Sequence, residues 1–308
     1  DFNINTNKIL ALNTKGADNE NFFGTAFVSG IVQIAGDKEN TYLDISAKTE
    51  KDTRISIPLT RFQSNTQDNF VSFVNEKDNS KLDIPTVNND YSGFGLNFDL
   101  EITPEAEALL IFDSKIGDII RGNGEGNINM EIDENDDFKM YGDFNIEEGD
   151  YLFTLQNVIN KKFKIKRGGE IIWNGDPANA SIDLEAAYTL RTSLNNLVDT
   201  TTTYYANEDY KKRIPVECQV FLTNRLANPN IKFDLNLPTA DEESKTLLRT
   251  AINTEEKLNK QFLSLLVLNS FLPEQSGTEN SFNTTTSTAG LGTVTTSELL
   301  SNQLSHWL

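Results

Sequence analysis

The chain has 308 residues, 37% of them hydrophobic, and a formal net charge of -19. That charge excludes nucleic acid as a partner, because phosphate binding needs a cationic footprint, and it disfavours direct docking on an anionic membrane surface. A modest apolar fraction rich in Asn, Thr, Asp and Glu suits repetitive strands with one wet face better than a thick globular core.

From Asp1 to about residue 240 the dominant signal is alternation of apolar and polar residues, the signature of strands with two unlike faces. An early exception is Pro104 to Phe112, where Thr103 offers an N-cap and acids fill the first turn, which predicts a short helix. Gly122 to Gly126 reads as a flexible strand connection, since it lacks the Lys-Ser/Thr ending of a phosphate loop. Ile128, Met130 and Ile132 then share one phase. Phe138 and Met140 follow, then Phe144 and Ile146. After a predicted turn at Glu148-Gly149-Asp150 come Tyr151, Phe153 and Leu155, with Phe163 and Ile165 beyond. Ile182, Leu184, Ala186, Tyr188 and Leu190 keep one phase for nine residues, and so do Val216, Cys218, Val220 and Leu222 in the next run. Short Gly-, Asn- and Asp-rich turns between strands predict antiparallel meanders. Polar stretches near 64–92 and 192–213 read as exposed loops or insertions.

Past Pro238 the periodicity becomes helical over residues 241–273. Acids open a first helix at Asp241, and Asn253 is placed to cap a second, which Pro273 stops. Residues 274–296 form a Ser/Thr/Gly linker. A terminal amphipathic helix over 297–308 puts Leu300 and Leu304 on one stripe with Trp307 alongside, and is cut short at Leu308. No segment reads as a signal peptide or a membrane span: Phe262 to Leu272 is too short and is broken by polar residues. With no initial methionine and an amphipathic pattern running into its last residue, the sequence reads as a piece of a longer polypeptide.

Catalytic chemistry has little to build on. The sole histidine, His306, lies on the terminal helix, and no Cys/His cluster has metal-ligand spacing, so no catalytic residue, metal or cofactor is assigned. Cys218 occupies an apolar phase and reads as a small buried hydrophobe. Acid pairs such as Asp136-Asp137 and Glu147-Glu148 read as solvated charge. In the basic run Lys161 to Arg167, Lys162, Lys164 and Lys166 fall on the wet face, as a solvated edge or, alternatively, as a contact for lipid headgroups. The apolar phases form either an ordinary sandwich or barrel core or the lining of a partly open trough; alternation alone does not separate them. Around fifteen strands stacked about 4.8 Å apart give such a trough a length of roughly 70 Å.

The order Gly142-Asp143-Phe144-Asn145-Ile146, Gly149-Asp150-Tyr151, Phe163-Lys164-Ile165, Gly168-Gly169-Glu170-Ile171 and Trp173-Asn174-Gly175-Asp176-Pro177 resembles the C-terminal region of the TamB translocation and assembly module family. Ala180 to Tyr188, Asn228-Pro229-Asn230-Ile231, the helix holding Gln261 to Leu266, and Glu298 to Leu304 fit the same pattern. The Asn-rich wording resembles the Bacteroidota branch. This resemblance implies a mainly β fold, an elongated curled antiparallel sheet (a β-taco, or open β-solenoid-like trough) with short C-terminal α-helices. It implies a non-enzymatic periplasmic protein whose full length is anchored in the inner membrane and meets a BamA-family outer-membrane barrel, TamA or the lipoprotein variant TamL. It further implies outer-membrane protein assembly and phospholipid movement, alongside the AsmA-like proteins.

The expected groove lining is Ile128, Met130, Ile132, Phe138, Met140, Phe144, Tyr151, Phe153, Leu155, Phe163, Ile165, Ile182 and Leu184, facing phospholipid. Leu300, Leu304 and Trp307 are the expected partner-contact residues. Two competing readings are a periplasmic scaffold that binds proteins by strand addition and, ranked last, a surface glycan-binding protein, which calls for aromatic platforms on the wet face whereas most aromatics here follow the apolar phase.

Overall fold

The computed structural model describes residues 2–17, 22–36, 41–59, 94–113, 118–132, 138–155, 159–198 and 208–273. Leu300, Leu304, Trp307, the 274–296 linker, the 64–92 stretch and Asp136-Asp137 lie outside them. The described residues are mainly β, with thirteen strands and two short C-terminal α-helices. The strands run as β1 (Phe2–Thr14), β2 (Phe23–Gly36), β3 (Thr41–Thr49), β4 (Arg54–Pro58), β5 (Phe94–Ile102), β6 (Glu107–Asp113) and β7 (Asp118–Ile132). They continue as β8 (Phe138–Leu155), β9 (Ile159–Ile165), β10 (Gly169–Gly175), β11 (Ser181–Thr192), β12 (Ile214–Arg225) and β13 (Asn230–Asn236), and the helices are α1 (Glu242–Ala251) and α2 (Glu255–Leu268). Two compact units divide the chain: residues 1–186 with 221–231, and residues 187–220 with 232–308.

In the first unit several strands lie end to end. β3 and β4 both pair antiparallel with β2, at Val28↔Thr49 and then Thr25↔Arg54. β5 and β6 pair with them in parallel, at Lys48↔Glu101 and Arg54↔Glu107. Both then pair antiparallel with β7, while β10 and β9 share one edge of β8. The expected antiparallel meander is therefore interrupted, among the described strands, by these two parallel pairs.

The tracks of β3/β4, β5/β6 and β9/β10 break at the level where β7 and β8 shift register, and these irregularities line up as a crease, which β2 crosses unbroken. It runs through Glu50–Thr53, Thr103–Ala106, the register shift at Asn123/Gly124 opposite Glu147, and Lys166–Gly168. A break costs ladder hydrogen bonds, and buried backbone groups must find other partners. Side chains supply them. The Thr53 hydroxyl accepts from Phe27 N at 3.0 Å and donates to Phe27 O at 2.9 Å. Thr49 Oγ1 accepts from Thr103 N at 2.9 Å while Thr103 Oγ1 donates to Thr49 O at 3.1 Å. Asn123 Nδ2 donates to Ala106 O at 2.8 Å. Replacing Thr49 by Val leaves the Thr103 N–H without that acceptor and is expected to cost about 1–3 kcal/mol, read as a lower urea midpoint at unchanged slope.

Three expectations fail here for one reason. The predicted helix over Pro104 to Phe112 is a turn followed by β6, because a ladder on both sides and burial of Leu110 outweigh local propensity. Gly122 to Gly126 is the interior of β7, not a connection, and Glu148-Gly149-Asp150 is not a turn but part of the 18-residue β8. Local turn chemistry marks the crease, which the strands cross without reversing.

The second unit buries Val216, Cys218 and Val220 of β12, Leu235 and Leu237, and the α2 residues Phe262, Leu265 and Leu266. Phe233 stacks on Phe262 with centroids 4.3 Å apart. The α1 N-cap is Asp241; that of α2 is Thr254, one residue beyond the expected Asn253, with Thr254 Oγ1 accepting from Lys257 N. α2 ends at Asn269 in the left-handed conformation, and the returning chain is fixed by Gln261, which donates to Leu272 O and accepts from Leu272 N. The 192–213 stretch holds short 3-10 turns at Asn195–Leu197 and Glu208–Lys211. No helix among the described residues is long and apolar enough to cross a membrane.

Candidate functional site

Register assembles the scattered apolar phases of the first unit into rows that run across the strands. The row farthest from the crease is Phe2, Ile34, Leu43, Leu96, Ile132 and Phe138. The next is Ile4, Val32, Ile45, Phe98, Met130 and Met140, and a third joins Leu100 to Ile128, Gly142 and Trp173. The row beside the crease joins Ile102, Gly126, Phe144, Ile171 and Ile182.

Exposure falls steadily along this direction. Phe138 is 42% exposed, whereas Met130, Ile132 and Met140 are half-buried. Ile128, Phe144, Ile171 and Ile182 are buried. Beyond the crease Tyr151, Phe153, Phe163, Ile165 and Leu184 are buried as well, with Phe163 at 0%. The expected lining residues thus share one face and divide in two: Met130, Ile132, Phe138 and Met140 are open, and the rest with described side chains are packed core. Leu155 closes β8 opposite Ile159, and its side chain lies outside the described residues.

The closed end is built around an aromatic cluster. Phe163 meets Phe153 edge-on at 5.9 Å and Tyr151 at 6.4 Å. The Tyr151 hydroxyl donates to Asp118 Oδ2 at 3.2 Å, and Thr154 N donates to Asp118 Oδ1 at 2.6 Å. Burial, and then the neighbouring Asp118 carboxylate, push the Tyr151 phenol well above its ordinary range, so it remains a hydrogen-bond donor.

On the wet face the basic run is neutralised by carboxylates. Lys162 and Lys164 reach Asp150 at 2.6 and 2.7 Å, and Lys166 reaches Glu185 at 2.5 Å. The run is solvated and its charges are paired, but β9 lies between β8 and β11 and so is not the sheet edge expected of it. Partial burial raises the Asp150 carboxyl, but the two lysine ammoniums outweigh it and hold the group below the usual carboxylate range. A depressed carboxyl stabilises the fold above its unfolded value and loses that contribution as pH falls through the folded value. Asp150→Asn is therefore expected to lower stability by at most about 1 kcal/mol at neutral pH. In urea unfolding at successive pH values the difference disappears as pH drops below the ordinary aspartate range.

Sequence reasoning missed the crease hydrogen bonds, whose residues are common turn formers, and the gradient of exposure, which depends on register. The described residues hold no metal-ligating cluster. No curated protein and no solved structure matches the chain. The family model described as the TamB C-terminal domain matches residues 1–307. This match, over nearly the whole chain, places it in the TamB family, a family of non-enzymatic assembly modules of outer-membrane biogenesis.

Proposed function

We propose that the open end of the apolar face takes up phospholipid acyl chains, and that the chain does so in the periplasm beside a BamA-family barrel of the TamA or TamL type. The carrying observation is the gradient: Phe138, Met140, Met130 and Ile132 form a contiguous apolar end that solvent reaches, continuous with a dry core. Large exposed apolar surface on a protein of this charge is itself a sign of a ligand or partner. Each acyl methylene buried there contributes about 0.8 kcal/mol. Flexible methionines facing aromatic and aliphatic rows accept a chain without imposing one geometry, which suits transfer better than tight recognition. The anionic surface disfavours holding the headgroup on protein carboxylates, so the chains are the part bound. Inner-membrane anchoring belongs, on this reading, to parts of the full-length protein outside residues 1–308.

The test is native mass spectrometry of the chain purified from membranes-containing lysate. Met140→Glu, on the open face, is expected to lose most co-purifying phospholipid, whereas Lys139→Glu, its wet-face neighbour, keeps it. Equal lipid occupancy in two folded variants contradicts the proposal.

One observation favours a second reading. β1 pairs with β2 alone among the described strands and exposes Phe2, Ile4, Ile9 and Leu10. Such an edge suits strand addition by a partner protein. A scaffold of that kind keeps its activity when Met140 is charged.

A further inference from the structure

The wet face of the first unit is not flat. A groove of about 650 Å³ crosses five neighbouring strands, from β2 through β3, β5 and β7 to β8. Four strand spacings give it a length of roughly 19 Å. Its floor is the backbone at Gly30, Ala47, Leu100, Ile128 and Gly142, the reverse side of the third apolar row. Its banks are side chains of the polar phase, so it is separated by the thickness of the sheet from the face proposed to hold lipid.

The charges along this groove are already engaged. Lys48 and Glu101 form an ion pair at 2.6 Å. Asp99 accepts from Asn129 Nδ2 at 2.8 Å, and the same amide donates to Asn97 at 2.8 Å. Beside these solvent-exposed pairs stand neutral groups, the Ser46 hydroxyl and the Asn127 amide, along the banks. At the β8 end stands the Tyr141 ring, 40% exposed, and at the β2 end Ile31, 45% exposed.

From this combination we infer that the groove binds a neutral glycan strand. Sugar hydroxyls pair with donors and acceptors, neutral or charged, spaced along a line, and the C–H face of a sugar ring packs on an exposed aromatic; the groove offers both. Asp99 and Glu101 outnumber Lys48 along the groove, which disfavours an anionic lipid headgroup or nucleic acid. A peptide crossing the strands at right angles gains no backbone ladder from a sheet face. The inference does not rest on lipid binding on the opposite face.

The test is isothermal titration of the 308-residue chain with two neutral β-1,4-linked probes, N-acetylchitohexaose and cellohexaose. Saturable binding of at least one is expected. Tyr141→Ala should weaken it about tenfold or more, and Asn127→Ala should weaken it less, with both variants keeping the wild-type circular dichroism and unfolding midpoint. Absence of binding to both probes overturns the inference. So does binding that Tyr141→Ala leaves unchanged, or equal affinity for a sulfated hexasaccharide, which would mark an unspecific surface.

Discussion

Phe163→Ala is expected to destabilise the first unit by about 3–5 kcal/mol, among the largest effects of any side-chain truncation in this sheet. Phe163 is fully buried, pairs directly with Tyr151, and makes ring contacts with both Tyr151 and Phe153. Truncation removes the transfer contribution of the ring and leaves a cavity between two rows whose backbone is fixed by ladders on both sides. Two aromatic pairs, each worth about 0.5–1.5 kcal/mol, disappear with it. Phe163→Leu, which keeps most of the volume, should lose less than half as much. The measurement is urea unfolding followed by near-ultraviolet circular dichroism. A loss below about 1 kcal/mol for the alanine variant would mean that this end of the sheet is loosely packed.

Gly142→Ala should prevent β7 and β8 from pairing as they do. Gly142 has φ +119°, and a methyl built there lands on the carbonyl oxygen of Asn127 in the neighbouring strand. Backbone strain and a backbone clash act together, so a cost above about 4 kcal/mol is expected, enough to abolish the native sheet. Gly168 provides the control. It has φ +100° but nothing within 4 Å of an added methyl, so Gly168→Ala suffers the strain alone, about 1–3 kcal/mol. Soluble expression and circular dichroism of the pair separate the two causes. Similar stability of both variants would show that the close approach of β7 to β8 is not what requires glycine at residue 142.

The strands and the apolar face were legible because alternation survives in every track. Ile128, Met130 and Ile132 sit opposite Gly142, Met140 and Phe138 in register, and period-two patterning alone assigns them one face. The switch from the even phase of Phe144 and Ile146 to the odd phase of Tyr151 and Phe153 was also present in the sequence. Its cause was not: Glu147 is the extra residue of a bulge, which looks like a turn when glycine and acids follow it. The same ambiguity produced the helix expected over Pro104 to Phe112, where acids before an apolar run fit a first helical turn as well as they fit a crease. Cys218 was read as buried and is, but the depth of burial along one apolar phase was beyond the sequence. Phe138 and Phe144 have the same phase, and one is open while the other is 4% exposed, because distance from the crease decides it. The wet-face groove was invisible for a related reason, since Ile31 and Tyr141 become its two ends only when five strands are set in register. The rule that most aromatics follow the apolar phase holds, and Tyr141 is an exception that the rule hid.

The most direct measurement is photo-crosslinker scanning through residues 138 to 141 of β8, in cells, with phospholipid adducts read by mass spectrometry. Lipid uptake at the open end of the apolar face predicts adducts at Phe138 and Met140 and none at Lys139 or Tyr141. Adducts without that alternation, or none at any of the four positions, would contradict it.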